Sequence, residues 1–422
     1  MNVKLGDEVG YSIRFEDVTS TKTKVKFVTD GVLLRECISD PLLSQYDIII
    51  LDEAHERSLQ TDILMGLLKQ LQFKRPTIRL VVMSATLQVD LYQSFFDETN
   101  VIYIAGRQYP VDVFYTEDAV DDFIDAALLT CLQIHAKEED GGVLVFLPGQ
   151  DDIESLSALL ETHLPSVIAD TKRDTVISNS APPSKKLKLA GNTEAAQRSE
   201  GDGQTTVVVK ANFSDFKVYA LYAALSPDDQ MAVFAPSTPG IRKFILSTNI
   251  AETSVTLSGV KFVVDTGFAK CRMLQESTGI EMLKVRGISK AQANQRAGRS
   301  GRESPGKCFR LYTEDMFESL EEVPIPEIQR VNIAQVILQL KAVGVESPLD
   351  FPYLSPPSRS SLRGALETLL MLRALDRDMS LTTHGRSMVR LPLEPHYAHL
   401  LLKSVEHKCV SEVLTIVSLL SR

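Results

Sequence analysis

The sequence predicts an α/β fold built on parallel sheet. Short apolar runs end in polar turns, helix-like stretches lie between them, and the polar clusters follow the carboxyl ends of the runs. The runs cover residues 47–51, 79–83, 142–147 and 243–246. Uniformly apolar runs of this length are typical of strands buried on both faces of a parallel sheet. Because strands and helices alternate, the α/β class is favoured, with ligands at the carboxyl ends of the strands.

The helix-like stretches are recognised by their apolar spacing. Residues 62–71 and 151–160 each place their large apolar side chains on one helical face. Later in the chain, residues 332–342 and 361–375 have the same spacing. A charged turn at 376–378 between apolar segments predicts a short hairpin within residues 374–390. We therefore expect a small, mainly helical region after residue 312.

Composition excludes several classes of protein. The 422 residues are 44% apolar and 24% charged, which is ordinary for globular chains and suggests about three domains. The sequence has neither a long apolar run nor an apolar signal core, so we expect no membrane association and no secretion. Five scattered cysteines predict a reducing compartment rather than a disulfide framework. The net charge of −10 argues against coating nucleic acid by charge alone, although a local basic channel stays compatible with it.

Residues 165–206 interrupt the pattern. This stretch lacks aromatic residues and is rich in polar residues, Gly and Pro, which predicts an inserted flexible loop. Its basic run, residues 182–188, has two interpretations: a nuclear-import patch or a solvated linker.

Two acids follow the first apolar run. In Asp52-Glu53-Ala54-His55, Asp52 is suited to hold Mg²⁺ through oxygen, and Glu53 is suited to orient and deprotonate a water. Taken alone, the tetrapeptide could also be a solvated turn at the end of a strand. The apolar strand before it favours the catalytic interpretation.

A basic segment forms the second cluster. Residues 284–310 contain eight Lys or Arg and one Glu, and they include Gln295 and the spaced arginines Arg299 and Arg302. Guanidinium groups three residues apart on one turn could both reach one triphosphate and stabilise charge on the transferred phosphoryl group. A basic surface helix is the alternative, but such a helix explains the two glycines within the motif poorly, because glycine weakens a helix.

One segment imitates a phosphate-binding loop. Residues 301–308 nearly spell GxxxxGK[ST], but Cys308 replaces the hydroxyl residue and a strand is predicted to follow. We therefore reject this segment as a phosphate loop. The 51 residues before Asp52 contain no Gly-Lys-Thr or Gly-Lys-Ser either.

Several segments resemble, in order and spacing, the motifs of the DEAH-box RNA helicases of superfamily 2. They are residues 29–36 (motif Ib), 52–55 (motif II), 84–86 (motif III), 144–150 (motif IV), 247–254 (motif V) and 295–302 (motif VI). The resemblance spans the chain apart from the insert, and six motifs in register exclude coincidence.

The resemblance implies two RecA-like domains with ATP in the cleft between them. It places a partial first domain at residues 1–107, a second at 108–312, a winged-helix domain at 313–390 and the start of a helical ratchet domain at 391–422. A β-hairpin that separates strands is expected within residues 268–290.

The resemblance also implies roles for single residues. Thr29, Thr248 and Asn249 would hold the RNA backbone, with little base specificity. Phe234 could stack on adenine, with a core aromatic as the alternative, and Asp265 could meet the ribose. The remaining expected roles are coupling of hydrolysis to domain movement by Ser84 and Thr86, and catalysis by Asp52, Glu53, His55, Gln295, Arg299 and Arg302.

The expected cofactors are ATP and Mg²⁺, the latter held by Asp52 and Glu53. We expect RNA and a helicase-activating protein as partners, with no membrane and no small-molecule substrate besides the nucleotide. A nuclear location is expected, including the nucleolus, with the cytoplasm as the alternative. DNA as the strand handled stays open at this point.

The family's phosphate-loop segment and its auxiliary carboxy-terminal fold have no counterpart in the sequence. The sequence is therefore expected to be a fragment, a mispredicted gene or the product of an alternative start, with a Gly-rich loop encoded upstream. The missing segment would leave a sheet edge open in the first domain. A hydrolysis-deficient fragment that binds RNA or partners is accordingly the alternative to an active helicase.

Overall fold

The computed structural model describes residues 3–85, 89–97, 99–106, 108–172, 189–190, 213, 215–253, 256–275 and 279–420. The chain divides into two compact units. The first unit comprises Met1–Val101, Arg272–Met282 and Ile325–Arg422, and the second comprises Ile102–Cys271 and Leu283–Pro324. The domain boundaries expected from the sequence stay predictions.

The strands of the described residues, in chain order, are β1 (Val9–Ile13), β2 (Glu16–Val18), β3 (Val25–Val28), β4 (Ile48–Leu51), β5 (Arg79–Val82), β6 (Val111–Thr116), β7 (Gly142–Phe146), β8 (Leu189–Ala190), β9 (Asp215–Leu221), β10 (Ile241–Ser247), β11 (Val260–Asp265), β12 (Phe268–Gln275), β13 (Ile280–Gly287) and β14 (Gly306–Arg310).

The helices are α1 (Asp30–Ser39), α2 (Leu59–Lys74), α3 (Val89–Phe95), α4 (Phe123–Lys137), α5 (Gln150–Lys172), α6 (Pro227–Ala232), α7 (Lys290–Gly298), α8 (Glu314–Glu318), α9 (Ala334–Val343), α10 (Arg359–Met371), α11 (Thr383–Val389), α12 (Pro395–Glu406) and α13 (Val410–Leu420). The four predicted strands and the predicted helices are confirmed. Their boundaries are shifted by a few residues, except that α5 extends twelve residues beyond the predicted end at residue 160.

The second unit is built on a seven-stranded sheet in the order β8-β6-β14-β11-β7-β10-β9. Its neighbours pair in parallel, except that β8 runs antiparallel to β6. One face packs against α4 and α5, and the other face packs against residues that include Ala251, Leu257 and Ala297. All five residues of β7 are buried, which confirms the expectation that this apolar run is covered on both faces.

The first unit contains a three-stranded sheet, β2-β1-β3, and the parallel pair β4-β5. Its hydrophobic core joins α1 and α2 to α9 and α10. The expectation that β4 is buried on both faces is wrong, because Ile48 and Ile50 are 56% and 57% exposed while Ile49 and Leu51 are buried. The residues alternate because the core covers a single face of this two-stranded sheet.

The predicted loop at residues 165–206 begins too early. Helix α5 runs through Pro165 to Lys172, because Leu160, Leu164 and Ile168 continue its buried stripe at four-residue intervals. A short strand, β8, also lies within the predicted loop. The basic run at 182–188 lies outside the described residues.

The region after residue 312 is mainly helical, as expected. The predicted hairpin is reduced to one antiparallel bridge, Leu375 to Leu381, and α11 follows it directly. Asp376 accepts hydrogen bonds from the backbone N–H groups of Asp378 and Ser380, which closes the turn tightly and leaves no room for longer strands. The winged-helix assignment stays a prediction. The hairpin expected within 268–290 is present as the pair β12-β13.

Candidate nucleotide and nucleic-acid site

In the first unit, the Asp52–His55 tetrapeptide lies at the carboxyl end of β4, as expected. Asp52 is exposed, and its Oδ1 accepts a hydrogen bond from the backbone N–H of Glu53 at 2.9 Å. Glu53 has φ 50° and ψ 36°, which is the left-handed conformation. A non-glycine residue adopts that conformation only when its surroundings hold it there, and such residues cluster at functional sites.

His55 connects the acids to the segment after β5. Its ring is buried, and its Nδ1 accepts a hydrogen bond from the backbone N–H of Ala85 at 3.2 Å. The proton of the neutral ring therefore lies on Nε2, which is 3.4 Å from a Glu53 carboxylate oxygen. The backbone N–H of Ala54 also donates to the carbonyl oxygen of Met83 at 3.0 Å. Motifs II and III are thus joined within this unit.

The neighbouring predicted residues lie at the surface. Ser84 is exposed after β5, while Thr86 lies outside the described residues. Thr29 is exposed and precedes the first turn of α1, and its side chain does not cap the helix. Exposed N–H groups at the start of a helix are suited to bind a phosphate.

In the second unit, motif VI forms the end of α7 and one 3₁₀ turn, so that Arg299 begins this turn and Arg302 directly follows it. Close packing requires the second motif glycine, since a Cβ on Gly301 would lie 2.7 Å from the carbonyl oxygen of Tyr109. A Cβ on Gly298 would meet only the end of the exposed Gln108 side chain, at 2.6 Å, which can move aside. The structure therefore explains Gly301, which the sequence could not assign to an ordinary surface helix.

Motif VI is bonded directly to motif V, which follows β10. Arg299 Nε donates to the carbonyl oxygen of Glu252 at 2.9 Å, and its Nη2 contacts the carbonyls of Glu252 and Thr253. Arg302 is exposed, and its Nη1 donates to Thr256 Oγ1 at 2.7 Å. Of the two predicted finger arginines, Arg302 therefore presents the more accessible guanidinium group in this state. Gln295 is half-buried on α7.

Beneath these arginines lies a buried ion network that sequence reasoning missed. Arg296 is fully buried, and it bonds to Glu252 at 3.0 Å and to Asp265 at 2.7 Å. Burial lowers the pKa of Arg296, but the carboxylates of Asp265 and Glu252 outweigh burial and raise it. Arg296 therefore keeps its charge, whereas burial raises the pKa of Glu252. The bonds of Arg296 hold motif V, motif VI and the end of β11 together. Arg296 was within the predicted motif, but nothing in the spacing marked it as the buried member.

The predicted nucleotide residues lie in different environments. Phe234 is 39% exposed, so the alternative of a core aromatic is excluded. Asp265 is 0% exposed, and its carboxylate accepts bonds from Arg296, the backbone N–H of Gly267 and the hydroxyl of Tyr312. In this state a ribose cannot reach Asp265, so its geometry fits the holding of Arg296. Stacking by Phe234 stays a prediction.

The motif V residues expected to hold RNA are more accessible. Thr248 is half-buried and Asn249 is exposed, directly after the carboxyl end of β10. The last residue of motif V, Ser254, lies outside the described residues. The segment that imitates a phosphate loop leads into β14, a strand, and this confirms its rejection.

The side chains around Asp52 fit a magnesium ion that is bound together with a nucleotide. Within the described part of the chain, no three His, Cys, Asp or Glu side chains come together as a preformed metal site. Mg²⁺ bound to a nucleotide needs only one or two carboxylates, because phosphates and waters complete its octahedron. An exposed Asp52 with an available carboxylate edge fits this role.

Among the described helices, none is long and apolar enough to cross a bilayer.

Comparison with known proteins gives matches along nearly the whole chain. Residues 192–304 match the family profile described as helicase conserved C-terminal domain, and residues 394–422 match that of the ratchet-like helicase associated domain (HA2). The ATP-dependent RNA helicase DHX33 of Mus musculus is 44% identical over 99% of this chain and 55% of its own length. The Homo sapiens DHX33 is 43% identical over 99% of this chain and 54% of its own length.

The chain is therefore similar, over nearly its whole length, to ATP-dependent RNA helicases. The pre-mRNA-splicing factor ATP-dependent RNA helicase prp22 of Schizosaccharomyces pombe is 42% identical over 98% of this chain, but only 32% of its own length is covered. The chain thus spans about half, or less, of the curated relatives that it matches.

Solved structures agree with this assignment. The E. coli DExH-box NTPase HrpB superposes with a TM-score of 0.77 at 30% identity, covering all of this chain and 46% of that one. A second E. coli structure, described as DEAH/RHA helicase HrpB, gives a TM-score of 0.80 at 30% identity and covers 48% of that chain. The expected RecA-like α/β fold followed by the start of a ratchet region is therefore confirmed.

Proposed function

We propose that the chain is the part of an ATP-dependent RNA helicase that hydrolyses ATP and uses the energy to move along and unwind RNA. The observation that carries the proposal is the bonded group Glu53, His55 and Ala85, which joins the expected catalytic acid to motif III. Its similarity to proteins named ATP-dependent RNA helicases over nearly its whole length supports the same activity.

The chemistry follows from the residues of the first unit. Asp52 would hold Mg²⁺, which would supply positive charge to the nucleotide phosphates, and Glu53 orients the attacking water and accepts its proton. His55 Nε2–H points to the Glu53 carboxylate, so the imidazole keeps that carboxylate oriented without taking its charge. Because Ala85 donates to the same ring, a displacement of motif III changes the hydrogen bonding of Glu53.

The residues of the second unit supply positive charge for the nucleotide and contacts to the RNA strand. Arg302, and Arg299 beside it, stabilise charge on the transferred phosphoryl group. Gln295 lies on α7, just before these arginines, and orients the nucleophile. Thr248 and Asn249, together with Thr29 of the first unit, hold the RNA backbone, and Phe234 stacks on the adenine ring.

The test is phosphate release by the purified chain, with and without single-stranded RNA. We expect release to rise with RNA and to fall by about 100-fold or more in Glu53→Gln, since this change removes the general base. Equal release by wild type and Glu53→Gln would contradict the assignment of Glu53. A parallel series with DNA decides which strand the protein handles.

The second candidate function is that of a hydrolysis-deficient subunit that binds RNA or protein partners. It is favoured by the environment of Arg299, whose buried guanidinium group is already bonded to the carbonyl oxygens of Glu252 and Thr253 in this state. RNA binding without any ATP turnover, in the assay above, would select this candidate over the first.

A nuclear location is part of the proposal. The basic run at residues 182–188 suits an import patch, and one relative is named as a pre-mRNA-splicing factor. The compartment in which a tagged chain accumulates tests this location against the cytoplasm. A helicase-activating protein partner is proposed on the resemblance of the motifs alone.

A further inference from the structure

The turn that carries the catalytic acid is strained at both ends. Glu53 before it and Arg57 after it have φ of 50° and 51°, while the residues between them, Ala54–Glu56, form one 3₁₀ turn. Neither residue is glycine, so both conformations require contacts that hold them. At the Glu53 end, those contacts come from motif III. The contacts at the Arg57 end come from elsewhere in the first unit.

Arg57 is held by the segment at residues 325–357. The backbone N–H of Glu327 donates to the carbonyl oxygen of Arg57 at 3.1 Å. The Arg57 guanidinium donates through Nη2 to Ser355 Oγ at 2.7 Å. The Glu327 carboxylate accepts from the backbone N–H of Leu59 at 2.9 Å, which satisfies one of the first N–H groups of α2.

The same guanidinium is locked to α2. Its Nε and Nη2 donate to the two carboxylate oxygens of Asp62 at 2.7 and 2.9 Å. Arg57 is 4% exposed and Asp62 1%, so water competes little for this two-pronged pair. A guanidinium held on two sides has little freedom to rotate. A shift of Ser355 or Glu327 is therefore transmitted to the backbone of Arg57, four residues after Glu53.

We propose that Arg57 is a positioning residue through which segment 325–357 sets the conformation of the Asp52–Arg57 turn and hence the activity of Glu53. This inference rests on the proposed ATPase function and deepens it by naming how the site is regulated. The segment contains α9 and leads into α10, so a nucleic-acid strand or partner that moves these helices changes hydrolysis through Arg57. The competing interpretation is that the contacts only stabilise the fold.

The experiment uses substitutions that spare the buried ion pair. Arg57→Ala would leave Asp62 buried without its counter-charge, and misfolding would then confuse the result. Ser355→Ala removes one hydrogen bond to Arg57, and Glu327→Ala removes the bond to Leu59. Ser355→Thr keeps the hydroxyl as a rescue variant. Ser347→Ala, a half-buried serine of the same segment, is the matched control.

Two readouts are measured on the full chain. Hydrogen exchange follows the bonded amides of Ala54, Glu56 and Arg57, and steady-state kinetics gives kcat and the KM for ATP with RNA present. We expect Ser355→Ala and Glu327→Ala to speed exchange of these amides and to lower RNA-stimulated kcat by about two- to tenfold, the effect of losing one hydrogen bond. KM for ATP should be unchanged, and Ser355→Thr and Ser347→Ala should match wild type.

The outcomes separate the two proposals. Unchanged exchange in the turn, with wild-type kcat in both alanine variants, overturns the inference while leaving the ATPase function intact. A kcat loss that Ser347→Ala shares, or a rise in KM of equal size, indicates general destabilisation and also overturns it. A wild-type chain that releases no phosphate overturns the ATPase proposal instead, and hydrogen exchange then still decides whether segment 325–357 controls the turn.

Discussion

At the scale of single residues, burial decides which charges act on ligands and which hold the site together. Arg296 and Arg302 belong to the same motif, yet one is fully buried against two carboxylates and the other is exposed. Breaking a buried ion pair is costly because the remaining charge stays unpaired in a region of low polarity. Arg296 is therefore a residue that holds motifs V and VI together, and Arg302 is the better candidate for contact with phosphate.

The sequence alone could not predict which of these charged residues are buried and which are exposed. The order of the motifs predicted where the acids and arginines lie, because their positions follow strands and helices of regular spacing. It could not predict that Asp265 points inward, since a carboxylate after an apolar strand is equally compatible with a ligand contact. The Arg57–Asp62 pair was missed for a similar reason. The two residues are five apart across a turn, which is not a helical spacing that a pattern would reveal.

His135 provides a prediction about pH. This histidine is 1% exposed between the rings of Phe213 and Phe244, and neither ring nitrogen has a hydrogen-bond partner among the described residues. Burial, together with the charge of Arg242, lowers the pKa of His135 to about 4. The folded state thus binds fewer protons than the unfolded state between about pH 4 and the model-peptide value of about 6.5.

Stability is therefore complete above the unfolded pKa and falls as the pH drops through this window. We expect the free energy of unfolding to decrease by about 2 kcal/mol from pH 7 to pH 5 through His135 alone. His135→Leu should remove this part of the pH dependence in urea titrations. His163→Leu, at an exposed position of α5, is the control and should leave the slope unchanged. An identical slope in wild type and His135→Leu would contradict the assignment.

At the scale of elements, hydrophobic periodicity predicted the strands and helices well. It could not predict what packs against each face of an element. The apolar runs of β4 and β7 look alike in the sequence. β7 is covered on both faces by two cores, whereas β4 has Ile48 and Ile50 exposed, because only one face of the pair β4-β5 meets the core. Local sequence cannot report how many layers will pack on a strand.

Gly66 in the middle of α2 gives a prediction at this scale. A Cβ at this position would lie 2.4 Å from ring atoms of Phe351 and 2.7 Å from the carbonyl oxygen of Pro352. Alanine has a higher helix propensity than glycine by about 1 kcal/mol, but the clash with a buried ring and a backbone oxygen outweighs this gain. We expect Gly66→Ala to lower the free energy of unfolding by about 1–3 kcal/mol, measured by urea denaturation.

Gly364 in α10 is the matched control. No atom outside its own helix lies within 4 Å of the Cβ that alanine would add there. Gly364→Ala should therefore stabilise the protein by about 0.5–1 kcal/mol. If both substitutions raise the free energy of unfolding to the same extent, the Phe351 ring moves aside at little cost. Segment 325–357 would then pack less tightly on α2 than the distances imply.

At the scale of the whole molecule, the two units alternate along the chain, which passes from one to the other four times. The acids of motif II belong to the first unit, and the arginines of motif VI belong to the second. Each unit holds its own motifs together, through His55 and Ala85 in one and through Arg296 and Glu252 in the other. The proposed hydrolysis requires that both sets act on the same reaction.

This requirement predicts that their effects do not add. We expect Glu53→Gln and Arg302→Ala each to lower kcat by about 100-fold or more. The kcat of the double variant should be within a few-fold of that of the less active single variant. The reason is that groups serving one chemical step are lost together once either is removed. Single-turnover hydrolysis of labelled ATP has the sensitivity to compare the three variants. Arg363→Ala, at an exposed position of α10, is the control, and it should leave kcat at the wild-type value. A double variant whose loss equals the product of the two single losses would show that the acids and the arginines serve separate steps.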